Sequence, residues 1–291
     1  MVAPPGGGSC DSTGGPVVVV GGGIVGASVA YHLRDERDVT LVEQSTLGGG
    51  TTAASIAQFI EYQDDPAGAE AVRRRQSWAF YDALIEDGAF EFDRIGTQVV
   101  ASSDADLARL RRLGADLDAA GVATELLPPA ELARCGIDPE TVRGALRVPD
   151  DGVLDPGEIV QYLAGEARAA GVAVDTGTTV TDVHVEDGRV TGVETSDGDY
   201  AAATVVNAAG PWAPQLDGMV GVSTPLRHTH GPVLVLDAET DVSLPLTFFE
   251  DGYYVREEGD RRLLAGRFAT EYADATTLSP DANHGDAAGE A

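Results

Sequence analysis

The feature that most constrains this chain is the run Val17-Val-Val-Val-Gly-Gly-Gly-Ile-Val-Gly26 together with Glu43. Four consecutive β-branched residues favour a buried strand. Gly21, Gly23 and Gly26 follow at the spacing G-x-G-x-x-G, and an apolar helix begins at once. A second strand, Val39-Thr-Leu-Val42, ends on Glu43. Strand, glycine turn, helix, strand and terminal acid in that order predict a βαβ nucleotide-binding unit. Gly21 permits the tight turn, Gly23 lets the backbone approach a diphosphate, and Gly26 lets helix and strand pack closely. Around Gly22, Ile24 and Val25 the helix start offers free N–H groups and the positive end of the dipole. Glu43, 22 positions after Gly21, is placed to accept hydrogen bonds from ribose hydroxyls. The alternative, a glycine-rich loop without function, leaves the ordered flanking elements unexplained.

Charge narrows the partners. Nineteen basic residues, all Arg, stand against 48 acidic ones, a net charge of −29. The apolar fraction of 43% is that of a folded protein. An acidic, Lys-free surface suits a halophilic protein, in which salt screens self-repulsion. Nucleic acid and anionic membrane are excluded as partners by repulsion, and Arg73-Arg-Arg75 is the one basic cluster. Cys10 and Cys135 have neither metal-ligand spacing nor the number for a disulfide framework, which points to a reduced, cytoplasmic chain. The uncharged stretch Ser12–Leu33 is not read as a membrane span or signal peptide, because six glycines and His32 interrupt it and no basic residue precedes it.

The 291 residues are long enough for two domains. The pattern places a disordered leader at 1–15, a nucleotide-binding domain at 16–85 and 150–220, a second domain at 86–149 and 221–270, and a flexible tail at 271–291. A helix over Glu70–Ile85 is expected to turn Val72, Trp78, Tyr81, Leu84 and Ile85 inward. Another, over Leu107–Ala120, is expected to turn Arg109, Arg111 and Arg112 outward. A loop at Asp150–Pro156 hands over to a helix at about 156–170, with Asp155 as its cap. Strands follow at 172–174, 180–185, 190–195 and 204–207, with Asp187-Gly188 and Asp197-Gly198 as hairpin turns. Further strands fall at 233–236, 246–249, 253–256 and 262–268. The fold class is α/β with an α+β second domain: a Rossmann-like βαβ domain beside a mixed or antiparallel sheet.

Several motifs in order resemble the FAD-dependent D-amino-acid oxidase superfamily, in its branch of sarcosine, glycine and dimethylglycine oxidases and dehydrogenases. They are Val17–Gly26 with Ala30 and Glu43, the loop Gly48–Ser55, Asp151-Gly-Val-Leu-Asp-Pro156, Thr179–Val183, Val206-Asn-Ala-Ala-Gly-Pro-Trp212, Asp251–Val255 and Leu263–Gly266. The resemblance implies non-covalent FAD, with Gly21, Gly22, Gly23, Ile24, Val25 and Gly26 at the diphosphate and Glu43 at the ribose. It implies Gly50, Thr51 and Thr52 as further donors, Val180 beside the adenine, and Ala209, Gly210 and Trp212 near the flavin. A helix cap remains open for Thr51 and Thr52, and a core strand position for Val180. The implied reaction is hydride transfer from a small amino acid or N-methylated amine to the flavin, without triad or metal.

Three departures qualify that likeness. Members of the family run on well past the strand at Leu263–Gly266, into a glycine-rich flavin loop. A truncated chain, or a second subunit that supplies this loop, is therefore expected. The position of the lysine that promotes oxygen reaction in sarcosine oxidase is taken by Leu264, which favours a dehydrogenase passing electrons to a carrier; nearby Arg267 reads better as a strand-end residue. Ala53 stands near the place of the flavin-linking histidine of dimethylglycine dehydrogenases. Among substrate candidates, His230, Tyr254 and Arg256 lead, with His228 and Tyr253 behind them; the two histidines leave a metal pair open. An NAD-dependent dehydrogenase and a catalytically silent flavoprotein chain remain the alternatives.

Overall fold

The computed structural model describes residues 14–63, 66, 68–226, 228–229, 231–239, 243–259, 261–268 and 272–273. Expectations for residues 1–13, for His230 and for residues 274–291 lie outside the described residues. Two compact units divide the described chain, one from 14–55 and 156–226, the other from 56–155 and 228–273.

The first unit is built on a parallel four-stranded sheet. Its first strand, β1 (Val17–Val20), runs between β2 (Val39–Glu43) and the strand Thr204–Asn207, and Ala173–Thr176 lies outside β2. All four valines of β1 are buried, because both faces of the sheet are covered. Val17 and Val19 pack with Ala30 of the helix α1 (Ile24–Leu33) and Ala167 of the helix Pro156–Ala169. Val18 and Val20 turn the other way, to Val183 and Val193 of an antiparallel three-stranded sheet and Leu216 of the helix Ala213–Met219. The hairpin of that sheet turns at Asp187 and Gly188, whose φ of 49° and 73° is the mirror-image turn expected of Asp-Gly.

The second unit carries a seven-stranded sheet in the order Val233–Asp237, Arg262–Arg267, Tyr253–Glu257, Leu246–Phe249, Thr97–Ala101, Gly144–Val148 and Glu125–Leu127. The pair formed by Leu246–Phe249 and Thr97–Ala101 is parallel, and the other pairs are antiparallel. The helix Asp104–Ala119 starts at a capping box between Ser103 and Asp106 and presses Leu110, Leu113 and Leu117 onto Val99, Leu146 and Val148. Its Arg109, Arg111 and Arg112 are exposed, in line with the sequence.

Two expectations are corrected here. The border between the units falls at 55/56 rather than 85/86, because the strand Gln58–Phe59 pairs with Gly152–Leu154 and Phe59 stacks on Trp78 at 4.4 Å. The helix Ala69–Glu86 therefore belongs to the second unit, and so do residues 150–155. Val72 faces solvent with 48% of its surface exposed, while Ala71 and Leu84 are the buried residues of that helix. Among the described residues no helix is long and apolar enough to cross a membrane.

Candidate functional site

Packing dictates the glycines that open α1. Gly21 has φ of +109°, and a Cβ there would lie 2.4 Å from the Ala208 carbonyl oxygen. A Cβ on Gly26 would lie 1.8 Å from the Gly21 carbonyl oxygen, so helix and strand touch through this residue. Gly22 is hemmed by Leu47 and Glu43. Gly23 differs: within 4 Å its Cβ would meet Thr52 Oγ1 alone, at 3.1 Å. The surface over Gly23 is thus open, and Val25 beside it is 60% exposed.

Glu43 and the loop after it complete this floor. The Gly22 N–H donates to Glu43 Oε2 at 2.7 Å and the Ser45 N–H to Oε1 at 2.8 Å. Each carboxylate oxygen keeps a further lone pair for a hydroxyl. The Gly48 N–H donates to the Gly22 carbonyl at 2.9 Å, which draws the loop 46–55 to the start of α1. There Thr52 Oγ1 accepts the Ile24 N–H at 3.2 Å. Thr52 therefore satisfies the first N–H of α1 from a separate segment rather than capping a helix of its own, while Thr51 lies exposed in the same turn. A Cβ on Gly50 would stand 3.9 Å from the Trp212 ring, and within this unit Gly50, Thr52, Gly23 and Trp212 form one neighbourhood.

Trp212 ends a short 3-10 turn, Gly210–Trp212, in which Gly210 has φ of +54°. The turn is fixed by Asn207, which sequence reasoning left without a role. Its Nδ2 donates to the Ala213 carbonyl at 2.9 Å and to Asp217 Oδ1 at 2.7 Å, and its Oδ1 accepts the Ala209 N–H at 3.2 Å. Val180 begins the strand Val180–Glu186 and packs partly buried beside Val183 and Val193, as a core strand position would.

In the second unit two of the substrate candidates, Tyr254 and Arg256, are buried. Tyr254 is 7% exposed, packs in the core with Phe248, and burial pushes its phenol up from its ordinary value. Arg256 is 6% exposed; its Nη1 pairs with Glu258 at 2.5 Å and donates to the Glu257 carbonyl at 2.7 Å. Tyr253, on the opposite face of the strand, is 49% exposed with the Arg267 guanidinium 5.0 Å from its ring centre. His228 lies in the strand His228–Thr229. Among the described residues no three His, Cys, Asp or Glu side chains are gathered to hold a metal ion.

The residues at the start of α1 fit a dinucleotide: an open Gly23 surface at the helix N-terminus, and a carboxylate held at the end of β2. A model of the FAD dependent oxidoreductase family matches residues 16–290. The chain is 33% identical over 264 residues to 4-methylaminobutanoate oxidase (formaldehyde-forming) of Paenarthrobacter nicotinovorans, covering 85% of this chain and 31% of that protein. It is 32% identical over 203 residues to the mouse mitochondrial pyruvate dehydrogenase phosphatase regulatory subunit, covering 67% and 23%. The chain thus spans about a quarter to a third of the length of these two relatives. Glycine oxidase from Geobacillus kaustophilus has a crystal structure that matches with a TM-score of 0.74 at 25% identity, over 88% of this chain and 71% of that one. L-proline dehydrogenase from P. horikoshii matches in fold with a TM-score of 0.79 at 24% identity, over 90% and 71%. The family match decides for FAD against the NAD alternative.

Proposed function

Given that this chain belongs to the FAD dependent oxidoreductase family, we propose that it oxidises the C–N bond of a small amino acid or N-methylated amine. The observation that carries the reading is the open Gly23 surface beside the carboxylate of Glu43, which the Gly22 and Ser45 N–H groups hold in place. The names of two relatives, a 4-methylaminobutanoate oxidase and a glycine oxidase, support the substrate class. When bound, FAD supplies a two-electron acceptor for the hydrogen on the carbon beside the substrate nitrogen. The chain's own part is to bind and orient. Gly21, Gly22, Gly23, Ile24, Val25 and Gly26 hold the diphosphate, with Gly50 and Thr51 beside them. Thr52 holds its loop on the helix, and Ala209, Gly210 and Trp212 would help to hold the flavin.

Tyr254 and Arg256 act in this reading by shaping the sheet that carries the substrate pocket. The uncharged Leu264 supports electron delivery to a carrier. A second reading, a flavoprotein chain with a regulatory role, is favoured by the likeness to the phosphatase regulatory subunit. The test is anaerobic addition of glycine, sarcosine and 4-methylaminobutanoate to the protein purified in high salt with FAD. Loss of the yellow flavin absorbance with one of them is the expected result. A stable flavin complex that none of them reduces would favour the regulatory reading, and no bound flavin would refute both.

A further inference from the structure

Asp151 opens the strand Gly152–Leu154 and has no exposed surface. Its Oδ1 accepts the Glu61 N–H at 2.5 Å and its Oδ2 the Tyr62 N–H at 3.4 Å, across 90 positions of sequence. Its own carbonyl accepts the Gly96 N–H at 2.8 Å. Side chain and backbone of one residue therefore tie the segment 60–63 and the loop before Thr97 to the start of the strand Gly152–Leu154. The segment carries no strand beyond Phe59. Its other ties include the Arg74 Nη1 bond to the Ile60 carbonyl at 3.3 Å and the Tyr62 ring on Phe248, with centres 6.0 Å apart and planes 26° from parallel.

No cation answers this carboxyl among the described residues. Arg94, on the flank, is directed to Asp82 at 3.5 Å and Asp150 at 3.9 Å. The groups that face Asp151 are the Glu61 carboxyl and the Tyr62 backbone from the segment and the Thr97 hydroxyl from the sheet. Glu61 is itself raised above the usual carboxylate range by burial, then by Asp150 and by Asp82 of the helix Ala69–Glu86. An enclosed carboxyl with a carboxyl for a neighbour favours its neutral form. Opening the segment would return it to water, where it ionises.

We propose that Asp151 is a positioning residue whose uptake of a proton accompanies closure of the segment 60–63, so that the seating of Tyr62 on Phe248 is firmest in the protonated state and weakens when Asp151 ionises. Burial raises this carboxyl from 3.8 to about 7, which sets the direction. The closed state binds a proton that the open state lacks between these values. Closure is therefore favoured at the acid end of the window and weakens as pH rises to about 7. The neutral carboxyl still offers a carbonyl oxygen to the Glu61 N–H. The inference is independent of which amine the chain oxidises, or whether it oxidises one.

The test uses the full chain in high salt, with carbon-13 NMR of the Asp151 carboxyl and hydrogen exchange of the Glu61 and Tyr62 amides, corrected for intrinsic rates. Linkage predicts that protection of these two amides falls by about tenfold per pH unit, about a hundredfold from about pH 5 to about pH 8, flattening where Asp151 finishes titrating. Asp151→Asn should remove most of the pH dependence and leave only the smaller part that the raised Glu61 carboxyl contributes. Glu61→Gln should keep the pH dependence but move it to lower pH, since one carboxylate neighbour is gone. Titration of Asp151 in the ordinary carboxylate range would overturn the proposal. So would equal protection across the window, or a step of undiminished size in Asp151→Asn. If that variant does not fold, the wild-type carboxyl titration decides by itself.

Discussion

Replacing Gly26 by alanine tests the packing on which the cofactor floor depends. The added Cβ would stand 1.8 Å from the Gly21 carbonyl oxygen, against 3.4 Å for the closest ordinary contact. The start of α1 must then move off β1 by about 1.6 Å, in a region without slack. Such overpacking costs about 1–3 kcal/mol or more, and the better helix propensity of alanine returns about 1 kcal/mol. A net loss of about 2 kcal/mol corresponds to a melting temperature lower by about 5 °C for a chain of this size. Because the displaced helix start is also the diphosphate site, FAD affinity should fall at least about tenfold, or about 1.4 kcal/mol. Gly165→Ala is the control: a Cβ there meets nothing within 4 Å on the helix Pro156–Ala169 of the same unit. It should gain up to about 1 kcal/mol and leave FAD binding unchanged. Calorimetric unfolding and titration with FAD read both quantities. A Gly26→Ala protein that melts no lower than wild type and binds FAD as well would refute the close helix–strand contact and the site built on it.

Two further substitutions separate binding from folding. Glu43→Gln keeps one oxygen for the Gly22 and Ser45 N–H groups and turns an amide donor toward the other, so FAD affinity measured by titration should drop about tenfold; unchanged affinity would remove Glu43 from the site. Thr247→Val deprives the buried Gln98 Nε2 of its 2.9 Å acceptor, which should lower stability by about 1–3 kcal/mol in urea unfolding. FAD affinity should be untouched, and a parallel loss of binding would contradict a purely structural pair.

What the sequence disclosed followed from local pattern. The βαβ unit was legible because four valines and three spaced glycines each do their work within about one turn or strand of their neighbours, and Glu43 ends the second strand. The partners that hold those groups were not. Thr52 caps α1 across 28 positions and Gly22 meets Glu43 across 21, distances that no periodicity encodes. The strands Gly144–Val148 and Gly152–Leu154 escaped because Gly-Ala-Leu-Arg-Val and Gly-Val-Leu lack both a β-branched run and clean alternation. Val72 was set inward by helical spacing, yet the side of the helix bearing Trp78 is the one drawn to Phe59. Asp151 read as a turn residue, and its burial emerged only when Glu61 and Tyr62 came to it from 90 positions away.

The strand order of the first unit has a consequence for synthesis on the ribosome. β1 finds one neighbour within some twenty residues, at β2, but the other is Thr204–Asn207, with Val17 opposite Thr204. Until that distant segment has left the exit tunnel, one rim of the valine strand has no companion, and its N–H and C=O groups invite pairing with other nascent chains. Translation speed across the intervening stretch, and whatever shields that rim meanwhile, will govern how much of the product reaches its final form.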